Sequence, residues 1–358
     1  MTTTQRASTP MNDQLHALLT SLDADDIRES DDRVYFEAFG KQRDVHKDFP
    51  LVLIVESSSY CNLVCVGCPH KDLTRRRGFI KWDLFTKIID EAARYDVRTW
   101  LHFMGEPLMH PQIFDMIDYA TQKNLSYFGM STNGILLTER NRGRILDSGL
   151  TRFEISVDSL DPDLLGLLRP GGSPETIIAN AHAFFEEKYA RGRTHPVTSV
   201  SMRQMQENAH EVDSFVAHWK EILQPPDFVL AIAWNSWGGK EGVEHARYQA
   251  PSWRVPCLKL WNMAMVLQDG RMVTCDAMYD GQVVMGDVNE QSIHEIYNGE
   301  TYRAMRQCHL DGRAADLDIC NGCSDWYREL VLHDNLTAPA QQTLEEIRDV
   351  VASGKRQE

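Results

Sequence analysis

Leu51-Val52-Leu53-Ile54-Val55 runs through Glu56-Ser57-Ser58-Ser59-Tyr60 into Cys61-Asn62-Leu63-Val64-Cys65-Val66-Gly67-Cys68, and the architecture turns on this stretch. An apolar run rich in β-branched residues, ended by serines, predicts a strand. The cysteine loop follows at once, at the C-terminal edge where parallel barrels carry their chemistry. Three thiolates on so short a loop can hold three irons of a 4Fe–4S cluster and leave the fourth iron open to a substrate, which a structural cluster does not need. The alternative is a zinc knuckle with His70 as fourth ligand, for which the spacing is cramped.

Downstream the same grammar repeats. Thr99–Met104, Ser126–Met130, Arg152–Val157, Val197–Met202 and Phe228–Ala233 predict further strands. Helical patterns over Lys81–Tyr95, Pro111–Lys123, Thr138–Ser148, Pro174–Arg191 and His210–Ile222 lie between them. Thr138 and Pro174 suit helix starts and Gly149 a stop. Six βα units in series imply a parallel sheet with helices outside, but they fall short of a closed eight-fold barrel. The expected fold is therefore α/β, a partial (β/α)6 TIM-like barrel. Past Trp237-Gly238-Gly239-Lys240 the pattern changes. Met263–Leu267, a turn at Asp269-Gly270 and Arg271–Thr274 predict a β-hairpin, and Ser292 caps a short helix ending at Asn298. The expected organisation is an N-terminal extension over 1–49 with a helical pattern at Gln14–Leu22, the barrel over 50–240, a small α+β domain over 241–330, and a tail over 331–358 with a helix at Leu344–Val351.

The 358 residues, 42% hydrophobic and 25% charged, have the balance of a globular protein. A net charge of -15 argues against nucleic acid or an anionic membrane as partner. The local basic patch Arg75-Arg76-Arg77 is open to contact with an anionic group, although three charges in a loop are usually just solvated. No apolar run approaches the ~20 residues that span a bilayer. Met1–Arg6 lacks the apolar core of a signal peptide, so a cytoplasmic location is expected. In that compartment eight cysteines are not a disulfide framework. They fall into two groups with none between Cys68 and Cys257. Cys257 and Cys275 bracket the hairpin, whose ends return to neighbouring positions, and Cys320-x2-Cys323 adds two thiolates on one turn. Four thiolates suit zinc or a 4Fe–4S cluster equally.

With these motifs the chain resembles the radical S-adenosylmethionine (SAM) superfamily over roughly Leu51–Leu330. The resemblance implies that Cys61, Cys65 and Cys68 hold a 4Fe–4S cluster whose open iron chelates SAM. An electron from an external donor such as flavodoxin or ferredoxin then releases a 5′-deoxyadenosyl radical. Phe103-Met104-Gly105-Glu106-Pro107 resembles the family's Gly-Glu-Pro motif, which implies Gly105 and Glu106 at the SAM ammonium. Ser131-Thr132-Asn133-Gly134 and Ser156-Val157-Asp158 resemble segments near the SAM methionine and ribose, implying roles for Ser131, Asn133, Ser156 and Asp158. Arg169 resembles the arginine at the SAM carboxylate, and Met202 an adenine contact. The residue before the third cysteine is often aromatic in the family. Here it is Gly67, so another side chain must serve adenine.

Leu260-Trp261, Asp269-Gly270, Cys275-Asp276 and Cys320-x2-Cys323 resemble the SPASM/twitch appendage of the same superfamily. Five cysteines here, against seven in the full SPASM form, imply the twitch form with one auxiliary 4Fe–4S cluster on Cys257, Cys275, Cys320 and Cys323. Cys308, in a helical stretch, stays open between a core cysteine, a cluster ligand and a catalytic thiol that returns a hydrogen atom to a substrate radical. Twitch relatives include dehydrogenases and epimerases of aminocyclitols and sugars. The resemblance thus implies hydrogen abstraction from a carbohydrate or aminocyclitol-type small molecule, ending in oxidation or epimerisation. A peptide-modifying maturase or activase is the alternative, although residues 1–49 are short for a peptide-recognition domain. A non-catalytic iron–sulfur or zinc scaffold is the third class.

Overall fold

The apolar runs form strands and the patterns between them form helices, in the order β1 (Val52–Val55), α1 (Trp82–Arg94), β2 (Arg98–Trp100), α2 (Ile113–Gln122), β3 (Phe128–Thr132), α3 (Glu139–Leu146), β4 (Arg152–Ser156), α4 (Pro162–Leu168), α5 (Pro174–Ala190), β5 (Val197–Gln204), α6 (Val212–Ile222) and β6 (Phe228–Ala233). The computed structural model describes residues 48–239, Arg254, Cys257 and 259–328. The expected helices at Gln14–Leu22 and Leu344–Val351 lie outside the described residues. Local chemistry starts the helices. Thr138 accepts from the Asn141 N–H, and Ser173 accepts from the Thr176 N–H with Pro174 in the first turn. The sequence reading did not include α4, although Asp161 caps it ahead of Pro162. Among the described residues no helix is long and apolar enough to cross a membrane.

The sheet runs β6-β5-β4-β3-β2-β1 in parallel and continues through β7 (Met263–Val266), β8 (Arg271–Val273) and β9 (Gly286–Asp287). The hairpin β7–β8 thus extends the barrel's sheet. β7 lies parallel on β1, in register from Val52↔Met263 to Val55↔Val266. Six strands leave β1 with unpaired backbone groups at an open edge, and β7 covers them. Four short helices complete the described chain: α7 (Lys259–Asn262), α8 (Ile293–Tyr297, with a Ser292–Glu295 capping box), α9 (Glu300–Leu310) and α10 (Asp325–Arg328).

Strand alternation separates two faces. Leu53, Val55, Leu101, Phe128, Met130, Phe153, Ile155 and Val200 are buried in the core against the helices, each such side chain contributing about 1.5–3 kcal/mol. The opposite face is different. At its base Trp100 lies across Gly129, where an added Cβ would come within 2.9 Å of the indole. The Tyr127 ring takes the Arg98 and Arg152 guanidiniums at 5.0 and 5.2 Å. Above this base come Ser131, Glu154, Ser156, Ser201 and Arg203, a hydrophilic layer at the C-terminal ends of the strands. Arg75 is a correction to the solvated-patch expectation. It is buried, holds Glu56 through two hydrogen bonds of 2.7 and 2.5 Å, and donates from Nε to the Tyr279 carbonyl. It therefore ties the segment after the cysteine loop to the C-terminal unit.

Candidate active site

The cysteine loop leaves β1 and is fastened to the chain after α4, where the Val64 and Val66 N–H groups donate to the Pro170 and Leu168 carbonyls, both at 2.8 Å. Arg169, between those acceptors, is thereby brought beside the thiols. Its Nε donates to Asp158 Oδ2 at 2.7 Å, and both groups are buried. Burial alone would lower the Arg169 pKa, but Asp158 and the neighbouring Cys65 outweigh it and hold the guanidinium charged. The other Asp158 oxygen accepts from the Arg203 N–H at 2.9 Å.

Glu106 ties in the second strand. Gly105 permits the close approach, since a Cβ there would lie 2.2 Å from the Ser58 carbonyl oxygen. The Glu106 carboxyl is 2% exposed. Its Oε1 accepts from the Leu108 N–H (3.1 Å) and Thr132 Oγ1 (2.8 Å), and its Oε2 from the Asn133 N–H (2.8 Å). Burial raises its pKa against those hydrogen bonds. With only one of these bonds, Oε2 keeps acceptor capacity for a ligand cation. Asn133 Nδ2 reaches Asn62 Oδ1 at 2.8 Å and Cys61 Sγ at 3.8 Å. Gly105, Glu106, Asn133, Asp158 and Arg169 thus gather around Cys61, Cys65 and Cys68.

Ser131 and Ser156 lie in the hydrophilic layer. Ser131 and Ser201 donate to Glu154 Oε1 at 3.2 and 3.0 Å, and Ser201 also reaches Ser156 Oγ at 3.5 Å. The Arg203 guanidinium is 3.8 Å from the same carboxylate. Met202 is a correction. It alternates with Ser201 and Arg203, so it points to the helix side and is fully buried in the core. Adenine needs another partner.

Trp234, which fills the space beside the cysteine loop, carries no local sequence signal. Gly67 has φ +64, and a Cβ on it would lie 2.2 Å from Cζ2 and 2.6 Å from Cη2 of Trp234. The indole arriving from the end of β6 fills the space that a side chain at 67 would take. The same segment is fastened to the C-terminal unit. Asn235 Nδ2 donates to Asp276, while Asp325 accepts from the Ser236 N–H, the Ser236 Oγ and the Gly238 N–H.

Burial pushes the Cys61 thiol up to about 11 and the Cys68 thiol to about 12, and raises that of Cys65 as well. Thiols so placed ionise when a metal centre supplies the charge. Among the described residues no three His, Cys, Asp or Glu side chains converge on an ion-sized point. His70 places Nε2 3.0 Å from the Ser59 carbonyl instead of joining the thiols.

Cys257, Cys275, Cys320 and Cys323 line one pocket together with Lys259, Asp276 and His309. Desolvation raises the Cys275 thiol well above its ordinary value and also raises Cys323. Four thiols on one lining are a donor set that suits a metal centre. Cys308 lies elsewhere. Its Sγ donates to the Arg313 carbonyl at 3.1 Å, and it is half-buried and outside the pocket lining. His309 is the residue that the sequence reading passed over.

The radical SAM superfamily profile matches residues 55–213, and that of SPASM, an iron–sulfur cluster-binding domain, matches residues 257–324. An S-adenosyl-L-methionine-dependent 2-deoxy-scyllo-inosamine dehydrogenase from Niallia circulans is 22% identical over 76% of this chain and 91% of its own. Other curated relatives, at 33% and 30% identity, match over only 31% and 39% of their own length, so this chain spans about a third of each. Among solved structures, SuiB of Streptococcus suis bound to the precursor peptide SuiA aligns with TM-score 0.60 at 15% identity, over 84% of this chain and 77% of that one. BtrN in complex with AdoMet and 2-DOIA aligns with TM-score 0.52 at 20% identity, over 77% and 93%. At these identities the likenesses show the fold.

Proposed function

We propose, for a radical SAM enzyme with a C-terminal SPASM iron–sulfur domain, that it oxidises a carbinol of an amine-bearing, hydroxylated ring, an aminocyclitol or amino sugar. Its cofactors are SAM, the SAM-binding 4Fe–4S cluster and an auxiliary iron–sulfur cluster. When bound, they supply a radical that takes a hydrogen atom from an unactivated C–H bond, and an acceptor for the one electron left as the carbinol becomes a ketone. A small one-electron carrier of the flavodoxin or ferredoxin kind starts each cycle.

The observation that carries the substrate class is the layer around Glu154. A carboxylate held by Ser131 and Ser201, with Arg203 at 3.8 Å, offers an ion pair to an ammonium group and hydrogen bonds to ring hydroxyls. An apolar substrate would gain nothing from these groups and would cover them at a desolvation cost. The dehydrogenase relative, matched over 91% of its length, supports the same class. Peptide modification, the second reading, has the fold likeness behind it.

The chain's own residues take these roles. Glu106 Oε2 receives the SAM ammonium and Arg169 its carboxylate, while Asp158, engaged by Arg169 and the Arg203 N–H, braces that arginine. The Trp234 indole forms the wall for adenine. His102, just past β2 with its ring 5.3 Å from Trp100, has Nδ1 shut off from solvent and without a hydrogen-bond partner among the described residues. Burial lowers its pKa to about 4, so the ring is neutral at pH 7.

The test is anaerobic, reduced, iron-reconstituted protein given SAM with a panel of aminocyclitols, their deaminated analogues, and peptides, read by mass spectrometry. The proposal expects an aminocyclitol or amino-sugar product lighter by two hydrogens, with Glu154→Gln raising KM for the amine and not for its deaminated analogue. A product of unchanged mass would mean epimerisation, and a modified peptide would establish the other reading.

A further inference from the structure

His309 lies on α9 in the wall of the four-cysteine pocket and is 2% exposed. Two contacts define its state. The Cys257 backbone N–H points at Nδ1 at 3.3 Å, and Nε2 is 3.4 Å from Cys320 Sγ. A backbone N–H only donates, so Nδ1 is the acceptor nitrogen and the ring proton sits on Nε2. The tautomer follows from geometry alone. Nε2–H therefore points at the sulfur of a cysteine that lines the auxiliary site.

We infer that His309 is a positioning residue that raises the reduction potential of the auxiliary iron–sulfur centre by donating an Nε2–H···Sγ hydrogen bond to Cys320. A donor on a ligating sulfur draws off charge and favours the reduced state, one of the levers by which proteins set such potentials. The bond also links two ligands far apart in sequence, because the ring that donates to Cys320 accepts from the backbone of Cys257. His309 is not a fifth ligand: four thiols already line the pocket, and Nε2 stands at hydrogen-bonding distance from one of them. The inference rests on the pocket holding the auxiliary centre and not on the identity of the substrate.

The experiment is a redox titration, followed by electron paramagnetic resonance, of the full-length anaerobically reconstituted protein. The auxiliary signal is the one that survives when Cys61, Cys65 and Cys68 are changed to Ala. His309→Phe removes the donor and keeps the bulk. It should retain its iron and shift the equilibrium roughly fivefold toward the oxidised form, about 40 mV lower at ~59 mV per tenfold for one electron. His309→Gln, which keeps an N–H donor, should return at least half of that shift. An unchanged potential in His309→Phe with full iron would reduce His309 to a wall residue and overturn the inference. Loss of one cluster's iron in both variants would make it a ligand, with the same consequence. If His309→Phe alone fails to fold, isotope-labelled histidine in the wild-type protein decides between a weak nitrogen coupling, which supports the hydrogen bond, and the strong coupling of direct coordination, which refutes it.

Discussion

Trp234→Ala is expected to weaken SAM binding without loss of the cluster, because the indole stands where a side chain on Gly67 would otherwise face the ligand. The overlap is severe: a Cβ at 67 falls 2.2 Å from Cζ2 and 2.6 Å from Cη2, well inside carbon–carbon contact of about 3.5–4.0 Å. The chain can therefore hold an aromatic at one of the two positions and not at both. Loss of a stacked base costs ~1–3 kcal/mol, or roughly 5- to 150-fold in Kd. Gly67→Phe alone must displace the indole and also hold a side chain at φ +64, a conformation worth about 1–2 kcal/mol of strain. In the Trp234→Ala background the displacement term vanishes. The double variant should then bind SAM more tightly than either single variant, while the strain appears as lost thermal stability. The assay is isothermal titration of SAM into anaerobically reconstituted protein, with iron content measured on each sample. Trp234→Ala affinity within about twofold of wild type at full iron would refute the assignment, and so would strictly additive effects in the cycle.

Glu106→Gln should lower SAM affinity by ~10-fold or more with the cluster retained, since an amide loses the charge-assisted bond to the ammonium. It should also lower thermal stability, because an amide cannot accept at every point where Glu106 now receives Leu108, Thr132 and Asn133; an unchanged melting temperature would show those bonds to be dispensable. Cys308→Ser should leave iron content and turnover as in wild type, its thiol being engaged with the Arg313 carbonyl outside the pocket; loss of either would restore a role for it. For His102, burial lowers the folded-state pKa from 6.5 to about 4. Its contribution to stability is thus fully present above pH ~6.5 and is lost as pH falls toward ~4, about 3 kcal/mol at most. Thermal unfolding between those pH values should be flatter in His102→Phe than in wild type, and equal slopes would contradict the neutral buried ring.

Much of the barrel is written in local patterns. The apolar runs at Leu51–Val55 and Arg152–Val157 form strands within a residue of the expected ends, and Thr138 caps its helix as read. The pairing of β7 with β1 is not local. Nothing in Met263–Val266 alone says that it completes an open edge 211 residues upstream, rather than folding as a separate sheet. The same limit governs the site. The cysteine loop and the Gly105-Glu106 turn announce themselves because their chemistry is carried by contiguous residues. Trp234 and His309 meet their neighbours at Gly67, Cys257 and Cys320, and only the tertiary fold sets those distances. Met202 shows the converse, where a plausible residue type sits one position out of phase with the working face of its strand.

Deuterium at the carbinol carbon of an aminocyclitol offers a single reading of the proposed reaction. In reduced enzyme with SAM, the label should appear in 5′-deoxyadenosine while the product leaves as a ketone that has gained no deuterium in heavy water. Label retained in the product, or a product of unchanged mass carrying solvent deuterium, would contradict oxidation at that carbon.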